Sequence, residues 1–185
     1  RYCLILSLSL INYCFTANEY YTYDKIDSTL HLWQRDYGFS THPIFPDQGI
    51  IYNLDTIGYS SQDGLPIFAV KLSDNVNEDE DEARVLILGQ CHAEEIYGVE
   101  IAMEIIECYL NPEQCYNDYN DFGTLHEYLL DVLQKSLEKV ELWVVPTHNP
   151  EGLGVVHGYC NNDTSATAET CNGNWIEDPT YRKNI

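Results

Sequence analysis

Basic residues are scarce in this chain: 9 Lys and Arg stand against 30 Asp and Glu, for a formal net charge of −21. So strong an excess of one sign repels the phosphates of nucleic acids and the headgroups of anionic membranes, which sets nucleic-acid binding aside. Apolar runs of membrane-spanning length are missing too. The apolar stretch near the start, from about Cys3 to Ile11, is too short to cross a bilayer as a helix. The sequence has no initiator Met, no internal repeat and no linker that would divide it. What remains is one domain with a real core, for which 185 residues at 44% apolar content suffice.

The opening, "RYCLILSLSLINYCFTANEYY", sets an Arg before the apolar stretch and small residues after it, at Thr16 and Ala17. That is the layout of a secretory signal peptide, although Phe15 stands where a small residue is preferred. Without a leading Met, the sequence is expected to begin partway through such a signal. The expected organisation is a truncated signal over residues 1–17 and part of a single domain over 18–185. The product would be secreted or extracytoplasmic, and free of the membrane after signal removal. Secretion makes the seven cysteines interpretable, because disulfides persist outside the cytosol. Cys3 and Cys14 fall in the signal. Cys108 with Cys115, and Cys160 with Cys171, could each close a short loop, which leaves Cys91 as a small buried residue at a strand end or a metal ligand.

In "YDKIDSTLHLWQRDYG" the residues Tyr23, Ile26, Leu30, Trp33 and Tyr37 recur at three- and four-residue spacing before Gly38, which predicts a helix. "GIIYNLDTIGYS" and "LPIFAVKLS" read as strands joined by a turn at "SQDG", and "ARVLILG" reads as a short buried strand. A helix follows, with Val99, Ala102, Met103, Ile106 and Leu110 on one face. A third helix starts at Thr124, where Thr124 and Glu127 form a capping box and Leu125, Leu129, Leu133 and Val140 contribute the apolar side. "ELWVVP" is another strand, and a long polar loop with Gly152, Gly154, Gly158 and Gly173 follows. Strands alternating with helices predict an α/β/α sandwich with a mixed, partly parallel sheet.

Two polar stretches invite ligand readings. The acidic run from residue 74 to 83 could offer oxygens to calcium, but it lacks the regular alternation and central Gly of a known loop, so a solvated connection between strands is expected. In the insert from Asn161 to Asn174, Asn162-Asp163-Thr164 would accept an N-glycan only in a eukaryotic source.

The chemistry gathers in "LILGQCHAEE", where His92 and Glu95 are three residues apart at the start of a helix. An imidazole nitrogen and a carboxylate oxygen suit zinc, and this spacing lets both converge on one ion. Alone, H-x-x-E is a weak signal, and capping and solvation in the polar first turn of an ordinary helix is the better account of it. A catalytic zinc needs a third protein ligand and an open position for water.

The wider pattern resembles the zinc carboxypeptidases of the carboxypeptidase A type, in which a strand ends in a Gly-rich approach to H-x-x-E and runs into a helix. "VVPTHNPEG", residues 144–152, looks like the family's strand and Asn-Pro-acidic-Gly loop, and "YRKN", residues 181–184, is similar to its aromatic-Arg-Lys motif. The resemblance spans about residues 20–185. It implies a zinc carboxypeptidase-like domain, incomplete at its C-terminal end, with one zinc ion held by His92 and Glu95. It also implies that Arg182 polarises the scissile carbonyl, where loss of one such donor commonly raises the barrier by ~3 kcal/mol. The substrates implied are the C-termini of peptides and proteins.

Glu94 departs from the family, which often has Arg at that position. The third zinc ligand, the Asn-Arg pair that grips a terminal carboxylate, the mobile tyrosine and the glutamate base all come later in the family than residue 185. The parent protein is thus expected to be a metallocarboxypeptidase and the 185-residue piece inactive by itself. His148 and His157 are candidate substitute ligands, although a loop histidine is usually only polar. Two other functions share the same features: an amidohydrolase that removes acyl groups from amino acids, and a non-catalytic secreted binding protein.

Overall fold

The computed structural model describes residues 20–119, 126–160, 170 and 175–178. The expected signal segment, Thr124 and Leu125, the candidate glycan acceptor Asn162, Cys171 and Arg182 lie outside the described residues.

Helix α1 runs Tyr23–Tyr37, with the Thr22 hydroxyl accepting from the Lys25 amide at 3.3 Å and Gly38 at its end. Ile26, Leu30 and Trp33 are buried, and Tyr23 and Tyr37 pack partly against the same core. That is the face the spacing predicts. Strands β1 (Tyr52–Tyr59) and β2 (Pro66–Leu72) form an antiparallel hairpin whose register slips between Thr56 and Gly58. β3 (Ala83–Gln90) leads into α2 (Ile96–Leu110), and α3 (Pro112–Tyr119) and α4 (His126–Leu137) return the chain to β4 (Val140–Thr147). β4 pairs parallel with β3 and antiparallel with β2, so the sheet order is β1-β2-β4-β3. Helix α5 (Pro150–His157) precedes a two-residue pairing of β5 (Tyr159–Cys160) with β6 (Trp175–Ile176). The class is α/β with a mixed, partly parallel sheet, as expected.

Alternation along the strands sorts the sheet into two faces. Phe68, Val70, Leu72, Leu142 and Val144 point into one core cluster with Ile26 and Leu30 of α1 and with Val99, Ala102, Met103, Ile106 and Leu110 of α2. At about 25 cal/mol per Å2 of apolar surface, each large side chain buried there contributes roughly 1.5–3 kcal/mol before entropy is counted. The opposite face carries Lys71, Glu141, Arg84, Leu86 and Leu88. Here the expectation for "ARVLILG" needs correction: β3 ends the strand order, and Leu86 and Leu88 are 61% and 55% exposed. An apolar run specifies a strand, but burial depends on what is stacked over it.

Two further expectations change, and one helix lies where none was expected. Val140 opens β4 and is not on the third helix, which ends at Leu137. The region after Asn111 is helical, because Pro112 fits a first helical turn, where a missing N–H is harmless. The glycine-containing stretch after Asn149 is likewise a helix: Asn149 caps it by accepting from the Gly152 amide at 3.2 Å, Pro150 begins it, and Gly158 ends it at φ 85°. A Cβ on Gly152 would press into the capping Asn149 side chain and force it to shift.

The Cys108–Cys115 disulfide forms as expected, across the Asn111 break between α2 and α3. Cys91 is a free, half-buried thiol. The acidic run is a connection between β2 and β3, held down by Val76, whose amide donates to Ile50 O at 3.0 Å. Carboxylates of Asp74, Glu80 and Glu82 gather within 4.8 Å of one another. Burial, with Glu82 and Glu80 nearby, raises the Asp74 pKa.

One buried group makes stability depend on pH. His42 is enclosed between the Tyr37 and Phe45 rings at 5.4 and 5.3 Å, and its Nε2 donates to Leu110 O at 3.0 Å. Its Nδ1 accepts from the Ile44 and Phe45 amides, both at 3.3 Å, so the ring is neutral with the proton on Nε2. Burial lowers its pKa from 6.5. Because the folded value is the lower one, the unfolded chain takes up the proton first as pH falls. The contribution is complete above pH 6.5 and declines below it, toward the folded value, by up to about 1.4 kcal/mol per pH unit. Denaturation midpoints from pH 8 to pH 5 should therefore fall in the wild type, and His42→Gln should flatten the part of the curve near 6.

Candidate metal centre

β3 and β4 run parallel and end side by side, with Gln90 opposite Thr147. The carboxyl ends of parallel strands are where α/β sheets leave a crevice for ligands. Two glycines bring α2 close to that end. A Cβ on Gly89 would collide with Pro146 O and stand 2.7 Å from Gly98 O, and a Cβ on Gly98 would strike the backbone of Gly89 and Gln90. The turn from β3 into α2 can be this tight only with hydrogen at both positions.

That turn presents the two predicted ligands together. Glu95 occupies the N-cap position of α2, its amide donating to His92 O at 3.0 Å. His92 Nδ1 and Glu95 Oε1 are 2.8 Å apart, and the His92 amide donates to Glu95 Oε2 at 3.0 Å. Both side chains are partly open to solvent, at 37% and 42%. The His92 amide, and then its ring, hold the Glu95 carboxyl below the ordinary carboxylate range. A solvent-facing imidazole nitrogen beside an ionised carboxylate is a donor set that fits zinc. Among the described residues, no third His, Cys, Asp or Glu atom joins this pair within 4.8 Å.

The candidate substitutes are therefore not brought to it. His148 is tied by its own amide to Gln90 O at 3.3 Å, and its Nδ1 is buried without a hydrogen-bond partner. His157 ends α5, where burial lowers its pKa against the opposing pull of Glu100. Glu151, one residue after Pro150, is also buried and accepts from the Gln62 and Asp63 amides at 3.3 and 3.0 Å, pinning the hairpin turn to α5.

An α/β domain that offers a histidine and a carboxylate at the carboxyl end of a parallel strand pair narrows the class, and comparison with known proteins narrows it further. The zinc carboxypeptidase family model matches residues 47–176. A zinc carboxypeptidase from Saccharothrix mutabilis subsp. capreolus is 31% identical over 108 residues, covering 58% of this chain and 21% of that protein. Among solved structures, a carboxypeptidase A from Helicoverpa armigera aligns with a TM-score of 0.53 at 16% identity, covering 90% of this chain and 29% of that one. Thrombin activatable fibrinolysis inhibitor aligns at a TM-score of 0.49 and 17% identity, over 72% and 26% of the two chains. This chain belongs to the zinc carboxypeptidase family. It spans about a fifth of the length of the Saccharothrix relative.

Proposed function

We propose that this chain supplies part of the catalytic domain of a secreted zinc metallocarboxypeptidase that hydrolyses peptide bonds at the C-terminal end of peptides and proteins. The observation that carries the reading is the convergence of His92 Nδ1 and Glu95 Oε1, 2.8 Å apart, on the solvent side of the β3–α2 turn. His92 and Glu95 would hold the metal. Zinc, when bound in such a site, lowers the pKa of water toward neutrality and polarises a carbonyl. Arg182 is proposed to stand by the scissile carbonyl and stabilise the developing oxyanion with its guanidinium. Secretion is supported by the signal-like opening and by the Cys108–Cys115 disulfide, a bond that persists in oxidising compartments. No helix among the described residues is long and apolar enough to cross a membrane.

The test uses the intact, zinc-loaded protein and pairs of peptides that differ only in a free or amidated C-terminus. Release of the terminal residue from the free acid, its loss on chelation and its return with zinc are expected. Equal cleavage of the amide, or preference for N-acyl amino acids, would overturn the carboxypeptidase assignment in favour of the amidohydrolase. Absence of any turnover alongside tight peptide binding would favour the binding protein.

A further inference from the structure

We propose that Gln90 and Asn149 are positioning residues for His92, Asn149 fixing the carbonyl of the residue before it and Gln90 the carbonyl of the residue after it. The inference rests on the zinc reading above and adds to it the parts that hold the histidine in place. Gln90 Nε2 donates to Ala93 O at 3.1 Å, and Asn149 Nδ2 donates to Cys91 O at 3.2 Å. The Cys91 carbonyl and the His92 amide belong to one peptide unit. Asn149 grips one side of that unit, and the other donates to Glu95 Oε2 at 3.0 Å. The direction of the His92 Cα–Cβ bond follows from the peptide planes on either side. Asn149 fixes the first plane through Cys91 O, the Glu95 amide donates to His92 O of the second at 3.0 Å, and Gln90 holds Ala93 O of the next peptide unit, so together they fix the turn that aims the ring.

Neither amide acts alone. The Gln90 carbonyl oxygen receives the Thr147 hydroxyl, which in turn accepts from the Asn149 amide at 3.1 Å, and Asn149 Oδ1 accepts from the Gly152 amide at 3.2 Å. The Gln90 main-chain oxygen accepts from His148 N at 3.3 Å. Gln90, Ala93, Thr147 and Asn149 are all buried. Away from water, each amide is held in one orientation, because turning it would leave a donor and an acceptor unmatched. A catalytic metal site needs its ligands held within a fraction of an ångström, and outer-shell partners supply that restraint. A free chain end of β3 would offer His92 on a mobile loop; this lattice offers it on the rim of the sheet.

The experiment measures zinc affinity, by competition with a chelator, and the visible spectrum of the cobalt-substituted form, both in the intact protein. Variants are Gln90→Met, which keeps bulk and removes both polar contacts, and Asn149→Asp, which keeps the helix cap on Gly152 but loses the donor to Cys91 O. Thr147→Val removes the hydroxyl that orients Gln90, and Thr147→Ser retains it. Gln90→Met and Asn149→Asp should weaken zinc binding about 10- to 100-fold, the effect typical of outer-shell partners, and shift the cobalt bands. Thr147→Val should move both readouts in the same direction, and Thr147→Ser should restore them. Apo-protein melting separates the roles, because a merely structural contact lowers the melting temperature and leaves the affinity of the folded fraction and the cobalt spectrum unchanged. Unchanged zinc affinity and spectrum in Gln90→Met and Thr147→Val, in a protein whose zinc binding requires His92, would overturn the proposal alone. Zinc binding that survives His92→Ala would overturn the metal reading itself, and this proposal with it.

Discussion

Replacing His92 with Ala is expected to lower the zinc affinity of the intact protein by more than about 100-fold, beyond the 10- to 100-fold typical of losing an outer-shell partner. Hydrolysis of a peptide with a free C-terminus should disappear with it. The expectation follows from the donor set, since among the described residues only Glu95 stands with His92 and a carboxylate alone cannot replace the imidazole. The fold should survive, because the His92 side chain is 37% exposed and its main-chain oxygen still accepts from Glu95 N. The decisive measurement is a zinc titration run beside a melting curve. Retained affinity in a folded His92→Ala protein would remove His92 from the metal site, whereas lost affinity with an unchanged melt would assign it there.

The largest effect on stability is expected on the opposite face of the sheet. Lys71 Nζ lies 2.9 Å from Glu141 Oε1, with the two side chains only 8% and 3% exposed. The ammonium also donates to Val76 O at 3.4 Å and Glu78 O at 3.2 Å, so it ties β2 to the acidic connection. Burial alone would raise the Glu141 pKa, but hydrogen bonds from Lys71, Arg84 and Trp143 outweigh it and leave the carboxyl below its usual range. Removing one member of a buried pair leaves the other charge uncompensated, which typically destabilises by 3–5 kcal/mol, on the order of a third of a domain's stability. Lys71→Met should fall at about 3 kcal/mol, the low end, because Arg84 Nε still reaches Glu141 Oε2 at 2.7 Å. Adding Glu141→Leu should recover most of that loss, since a well-packed apolar pair often matches a buried ion pair. Urea denaturation of the wild type, the single and the double variant decides it. A double variant no more stable than Lys71→Met would mean that packing, and not the stranded charge, sets the loss.

These two expectations draw on different kinds of information. The meeting of His92 and Glu95 was legible because two side chains three residues apart need only one helix turn to converge, and the resemblance placed that turn after a strand. The buried faces of α1 and α2 were legible for the same local reason: Ile26, Leu30 and Trp33, and Val99, Ala102, Met103, Ile106 and Leu110, recur with the helical period. The helical reading failed where local signals conflicted. Gly152 and Gly154 suggested a loop, although Asn149-Pro150 and Gly158 bracket α5 with a start and a stop, and Gly152 leaves the capping Asn149 side chain undisturbed.

By itself, then, the sequence determined most of the element types, the inward faces of the main helices and the closeness of His92 to Glu95, all of which depend on neighbours within a turn or two. Only the tertiary structure decided that Leu86 and Leu88 lie exposed at the end of the strand order, and that Lys71 meets Glu141 across β2 and β4. It also decided that Thr147 reaches Gln90 from 57 residues away. The physical reason is the same in each case. A contact between strands or turns is set by sheet order and register, and the residue types alone cannot choose which distant partner the chain's path will bring beside them.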